Sequence, residues 1–171
     1  MNKIFLVLFL SVFSYQCQAD SAYFGADYVF TNIEVADESA KPNASAIRAG
    51  VSNNNMAFEV QYLMANDTDN IYRLDFDIKQ SVGLYFVMQS DIEEGFGLDI
   101  SLGYAMTDMT VTGPEDTYNG EDHYNGFSWG VAIHQQVPFL KQTHIRLGYQ
   151  SLYKKSGIEI TGISLGVTYD F

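Results

Sequence analysis

Three histidines, His123, His134 and His144, are the natural candidates for proton transfer in this chain. An imidazole becomes a catalytic base when a nucleophile lies within hydrogen-bond reach and a third group orients it. None of the three stands in a His-x-Ser arrangement. His123 is followed by Tyr-Asn, His134 by Gln-Gln and His144 by Ile-Arg. No serine carries a local nucleophile signature, so no catalytic residue is assigned and the chain is expected not to be an enzyme. Acidic residues are the candidate metal ligands: Asp67 with Asp69, Glu115 with Asp116, and Glu121 with Asp122. A calcium loop needs a fixed run of oxygen ligands and a glycine at its sharp turn. The run from Asp67 lacks that glycine, so these pairs read as solvated loops, with weak divalent bridging as the alternative. No metal site and no cofactor are expected.

The remaining charges gain meaning only from the elements that carry them. Alternation of large apolar with small or polar residues recurs along the chain, separated by turn-rich segments, and no helix signal of useful length appears. The clearest case is the ending GISLGVTYDF, with Ile163, Leu165, Val167, Tyr169 and Phe171 on one face. Eight strands are expected, near 22–31, 45–52, 56–64, 71–89, 96–111, 125–135, 143–152 and 162–171. The turns after the second, fourth and sixth are short: Asn53–Asn55, Asp91–Gly95 and the Pro138–Thr143 region. Longer loops at Ile33–Ala44 and Thr112–Asn125 lie at the opposite end.

One face of every strand collects Leu, Ile, Val, Phe, Tyr and Trp. The other collects Gly, Ala, Ser and Thr, with five charges: Asp27, Arg48, Glu59, Asp99 and Arg146. Small residues fit the narrow interior of an eight-stranded cylinder and large ones its outside. A soluble barrel would reverse the two faces. The expected fold is therefore all-β, an eight-stranded antiparallel up-and-down transmembrane β-barrel, with a soluble periplasmic barrel as the structural alternative. Aromatics expected at one rim are Tyr28, Phe30, Tyr62, Tyr104, Trp129 and Tyr149. Those expected at the other are Phe24, Phe86, Phe96, Phe139, Tyr169 and Phe171, so two girdles flank an aliphatic band. The five inward charges are read as a paired network that fills the lumen, with a polar conduit or gate as the alternative. In the stretch YRLDFDIK at 72–79, strand parity places Arg73, Asp75, Asp77 and Lys79 on the lumen side, at the outer mouth.

The N-terminus has Lys3, the short apolar run 4–13, and Cys17, Gln18 and Ala19 before Asp20. This fits a secretory signal peptide over 1–19, with cleavage after Ala22 as a second choice and lipid modification of Cys17 as a minor reading. Its removal takes Lys3 and the single cysteine away. Lys+Arg falls from 9 to 8 against 21 Asp+Glu, so the mature chain 20–171 carries 8 − 21 = −13. Such acidity excludes nucleic acid as a partner, because phosphate binding needs Lys and Arg. Asn43-Ala-Ser45 and Asn66-Asp-Thr68 match glycosylation acceptors, a short motif that carries little weight alone.

The segments YFGADYVF (23–30), AFEVQYL (57–63), SVGLYF (81–86), LDISLGYA (98–105), IRLGYQSLY (145–153) and the terminal GVTYDF resemble the small eight-stranded outer-membrane barrels. This is the OmpA/OmpX-like outer membrane protein β-barrel domain group, and the resemblance covers 20–171. It implies the outer membrane of a Gram-negative bacterium, with lipid and lipopolysaccharide as neighbours. It implies that the ending with Tyr169 and Phe171 is read by the barrel-assembly machinery. It does not imply a peptidoglycan tether. The expected role of a monomeric barrel is envelope integrity, or contact with surface or host ligands through its loops. A narrow conduit or a small hydrophobic-ligand carrier is the alternative, and lipid A modification a weaker one.

Overall fold

The computed structural model describes residues 21–35, 38–67, 69–71, 74–112, 120–155 and 157–171. The expected leader, 1–19, lies outside them. Among the described residues ten strands form one antiparallel sheet: β1 (Ser21–Val35), β2 (Glu38–Ala40), β3 (Asn43–Asn53), β4 (Met56–Ala65), β5 (Asp69–Ile71), β6 (Leu74–Glu93), β7 (Phe96–Thr112), β8 (Gly120–Val137), β9 (Leu140–Lys155) and β10 (Ile158–Asp170). Each long strand pairs with the next, and β1 pairs with β10 from Tyr23↔Asp170 to Val35↔Ile158. That last ladder closes the sheet into an eight-stranded barrel. Closure leaves no open edge through the wall and satisfies the backbone without water.

Period-two patterning sets the two faces. In β1 the inward residues Tyr23, Gly25, Asp27, Val29, Thr31 and Ile33 are buried, while Phe24, Tyr28 and Phe30 are exposed. The other strands repeat this, leaving a continuous outer belt that includes Ile47, Val60, Leu84, Leu102, Val131, Leu147 and Leu165. So large an apolar surface is untenable in water and is the surface of a barrel bathed in lipid. Tyr28, Phe30, Tyr104, Trp129 and Tyr149 are exposed at one border of the belt, and Phe24, Phe139, Tyr169 and Phe171 at the other. Edge-to-face or tilted pairs link Tyr28 with Phe30 (5.1 Å), Trp129 with Tyr149 (5.7 Å) and Tyr169 with Phe171 (5.1 Å).

At the Tyr169 end the hairpins are tight, with two-residue turns at 54–55, 94–95 and 138–139. Asn54 and Gly95 take the positive φ that such turns demand (52° and 74°). At the other end the strands run on. A tilted strand crosses a bilayer in about 9–11 residues, yet β6 has 20 and β7 has 17. Part of each expected long loop is strand: β2 lies within 33–44, and β8 begins at Gly120.

Among the described residues, this projecting region is no longer a closed barrel. β3 begins at Asn43, β4 ends at Ala65, and β8–β9 pairing stops at Trp129↔Ser151. Above those points two four-stranded sheets remain, β5-β6-β7-β8 and β2-β1-β10-β9. Their inner faces share one apolar core, with Ile78 and Met109 from the first, and Ile33, Ala40, Leu152 and Ile160 from the second. All six are at most 2% exposed.

Two β-bulges bring Ile78 and Leu152 into this core. Ile78 pairs with Met109 and Gln80 with Asp108, so Lys79 is an extra residue in β6. Ile160 pairs with Tyr153 and Thr161 with Ser151, so Leu152 is extra in β9. One inserted residue reverses the facing of everything beyond it. The expected lumen-side placing of Lys79 is therefore corrected. Ile78 is buried inside, and Lys79 stands on the outer wall with its side chain 58% exposed, not on the lumen side. Arg73 lies outside the described residues. Asp75 and Asp77 are on β6, in the projecting part.

Candidate functional site

The interior has three storeys. The lowest opens at the tight-turn end as a cavity of about 250 Å³, reached by Arg48, Glu59, Asp99, His134, His144, Arg146 and Asp170. Five of the residues that sequence parity turns inward gather here in two groups. Arg48 of β3 is the centre of the first. Its Nε donates to Asp27 Oδ2 (2.5 Å), its Nη1 to Glu59 Oε2 (3.0 Å) and its Nη2 to Thr168 Oγ1 (3.0 Å). Tyr23 donates its hydroxyl to the same Glu59 oxygen at 2.9 Å. Arg48 is 3% exposed and Asp27 and Glu59 are 5%. Buried ions need such complete pairing, since a lone one carries the full desolvation penalty.

The second group is looser. Arg146 Nε lies 3.3 Å from Asp99 Oδ2, and His134 Nδ1 lies 3.2 Å from Asp99 Oδ1 without hydrogen-bond alignment. His144 Nδ1 is 3.1 Å from Asp170 Oδ2, and the His134 and His144 rings meet edge to face at 5.6 Å. Tyr23 and His134 join the five charges in this network, although the sequence reading of the lumen names neither. Tyr23 is the one large ring there on β1. Gly50, its cross-strand partner, was the signal for it.

The middle storey is neutral and polar. Gln61 and Gln150 exchange amide hydrogen bonds across the barrel (3.1 and 3.3 Å). Tyr85 bonds Ser128 at 3.0 Å, and Ser81 bonds Thr107 at 2.7 Å. The upper storey is the apolar core shared by the two projecting sheets.

On the outer wall, above Tyr104 and Trp129, a polar row crosses three strands. Gln80 donates to Asp108 at 2.8 Å, Asp108 meets His123 Nδ1 at 2.6 Å, and Lys79 pairs with Glu121 at 3.1 Å. The Gln80 amide and then His123 hold the Asp108 carboxyl below the usual carboxylate range. Each histidine thus sits on an aspartate. Among the described residues, no serine or threonine hydroxyl is hydrogen-bonded to any of the three.

A closed barrel with an apolar belt between aromatic girdles outside, and paired charges inside, is the architecture of an integral outer-membrane β-barrel. The chain belongs to the family described as "outer membrane protein beta-barrel domain", whose model matches residues 5–171. No protein of curated function has a significantly similar sequence. Among solved structures, neisserial surface protein A superposes with a TM-score of 0.68 at 18% identity, covering 88% of this chain and 97% of that one. Ail, the attachment invasion locus protein of Yersinia pestis, in complex with the heparin analogue sucrose octasulfate, gives 0.67 at 12% identity, covering 88% and 98%. The N-terminal β-barrel domain of Pseudomonas aeruginosa OprF gives 0.61 at 12% identity, covering 87% and 97%. At such identities these likenesses show the shared fold alone.

Proposed function

We propose that the barrel anchors an acidic platform on the cell surface, and that this platform binds cationic partners from the surroundings or a host. The carrying observation is the projecting pair of sheets with a core of its own, which crossing a membrane does not require. Its charge sets the ligand class. The described residues of the outer segments 31–44, 65–79, 107–124 and 153–160 include 10 acids and 4 bases, a net 4 − 10 = −6. Such a field attracts cations and repels polyanions. The Ail complex named above holds a polysulfate, so this reading assigns the opposite ligand charge to a similar fold. The conduit reading is disfavoured by the buried apolar storey, which sits across the path above the cavity.

The reading carries further assignments. Residues 1–19 are a leader and 20–171 the mature barrel, which acts as a monomer among outer-membrane lipid and lipopolysaccharide. Tyr169 and Phe171 form the ending read by the assembly machinery. The network around Arg48 and Arg146 is structural rather than conductive, and no catalysis is assigned.

The test is a binding comparison on cells displaying the whole barrel or one trimmed to its girdle. Retention of poly-lysine-coated beads, weakened by salt and lost on trimming, is the expected result. Retention of heparin beads with no uptake of poly-lysine would overturn the proposal. A strain lacking the barrel that is merely sensitive to detergent, with unchanged bead binding, would leave only the envelope-integrity role.

A further inference from the structure

The cavity at the tight-turn end is a blind pocket. It opens where the short turns of outer-membrane barrels face the periplasm, and it holds about 250 Å³. Above it the Gln61–Gln150 pair and then the apolar storey lie across the barrel. A solute that enters must leave by the same mouth. The volume lies just under the range of about 300–1,000 Å³ common to small-molecule pockets. It suits a small solute rather than a lipid chain or a peptide.

Two groups in its wall have bonding capacity that the protein leaves unused. Arg146 spends its Nε on Asp99, and among the described residues neither of its Nη groups has a hydrogen-bond partner. A free guanidinium fork matches a carboxylate. Asp99 has the opposite deficit. It is buried, and its Oδ1 accepts no hydrogen bond. Leaving a buried carboxylate oxygen without a donor is costly. His134 covers that oxygen without alignment, and its Nε2 lies 3.9 Å from Asp91. The ring rests on Gly97, where a Cβ would stand 2.4 Å from Nε2. With only backbone beneath it, the ring can swing toward Asp91 and yield Oδ1 to a donor in the cavity.

The balance of charge then selects the ligand. In the wall Arg48 and Arg146 face Glu59, Asp91, Asp99 and Asp170, a net 2 − 4 = −2 with neutral histidines. Asp91 stands at the mouth with its side chain 88% exposed. A plain anion is repelled by this wall, and a plain cation leaves the Arg146 fork empty. A molecule with a carboxylate, an ammonium beside it and a second ammonium a few bonds away answers all three demands.

We propose that this cavity binds a small basic amino acid of the lysine class from the periplasmic side. Its carboxylate takes the two Nη groups of Arg146, its α-ammonium takes Asp99 Oδ1, and its second ammonium reaches Asp91 and Asp170. Arg48 takes no part, since its Nε and both Nη groups are already engaged. The site lies at the opposite end from the acidic platform and does not depend on it.

The test is calorimetric titration of the refolded full barrel in maltoside micelles, whose headgroups carry no charge, at physiological ionic strength. L-Lysine should bind one-to-one. Norleucine, which lacks the second ammonium, and 1,5-diaminopentane, which lacks the carboxylate, should each bind about tenfold more weakly or less well still. Glutamate should not bind. Arg146→Met should bring lysine down to the level of the diamine and leave the diamine unchanged, which a general loosening of the barrel would not do. Asp99→Asn should weaken both, with the fold checked by heat-modifiable migration. On lysine binding, the His134 ring signals in NMR spectra of the parent should shift. Equal binding of lysine and the diamine by the parent, or binding of glutamate, overturns the assignment. So does the absence of both heat and a His134 shift at millimolar lysine. Lysine binding that is lost in Glu121→Lys with Asp122→Lys, and kept in Arg146→Met, would place the ligand on the outer platform and overturn the cavity site.

Discussion

Tyr23 of β1 occupies the space that a side chain at Gly50 of β3 would need: a Cβ there would lie 2.3 Å from the ring's Cζ. The two are cross-strand partners inside the barrel, and the tyrosine hydroxyl goes on to bond Glu59. Gly50→Val is expected to push the ring off the charge network. The cost should be about 1–3 kcal/mol, as for other overpacked interiors. Urea unfolding in micelles, followed by heat-modifiable migration, measures it. Gly120→Ala, where a Cβ meets nothing within 4 Å, is the control and should stay within about 0.5 kcal/mol.

Arg48 and Arg146 should differ in weight. Arg48→Met strands two carboxylates that are 5% exposed and is expected to cost about 3–5 kcal/mol. Arg146→Met removes one contact to Asp99 from a side chain that is 11% exposed, and should cost clearly less. Adding Asp27→Asn and Glu59→Gln to Arg48→Met should restore part of the loss. Equal losses for the two single variants in the same unfolding assay would contradict the two-group arrangement.

The apolar storey predicts both stability and impermeability. Ile160→Ala empties a fully buried position and should destabilise by about 2–5 kcal/mol. Lys79→Ala, in a pair whose side chains are about 60% exposed, should change stability by no more than about 1 kcal/mol. Planar-bilayer recordings of the parent barrel should show no stable single-channel steps. Regular steps of fixed size would mean that this storey is not closed.

Asp108 gives an acid-side prediction. Its carboxyl is held below the ordinary range by Gln80 and His123. A depressed folded-state pKa stabilises above the unfolded value, about 3.9 for aspartate. That contribution fades as pH falls through the folded value. The difference in melting temperature between the parent and Asp108→Asn should therefore be constant near neutrality and narrow below about pH 4. A difference that widens with acid would reverse the assignment.

Much of the barrel is legible in the sequence because one-residue alternation has a single physical cause, the pleat. Phe24 against Asp27, or Val60 against Glu59, can be assigned to opposite faces without knowing any partner. The inward placing of Asp27, Arg48, Glu59, Asp99 and Arg146 follows from the same rule. Their division into two groups does not, because it depends on the height at which neighbouring strands meet. Lys79 was misplaced because YRLDFDIK alternates perfectly through the bulge. The only trace is Gln80, a polar residue where the lipid face should continue. Ser151, Leu152 and Tyr153 are a second such break in rhythm. The division into two sheets left no local mark, since it is set by where β3, β4 and the β8–β9 ladder end.

The bulges at Lys79 and Leu152 lie one in each projecting sheet. Each works as a change of phase between two solvents. Below it the strand is written for oil outside and polar groups within; above it the same alternation is written for water outside and oil within. A single inserted residue is thus a hinge in the code rather than in the backbone. It lets one uninterrupted strand belong to a membrane body and to a soluble one. Lineages built on this plan could lengthen or rewrite the outer body while the membrane part keeps its own phase.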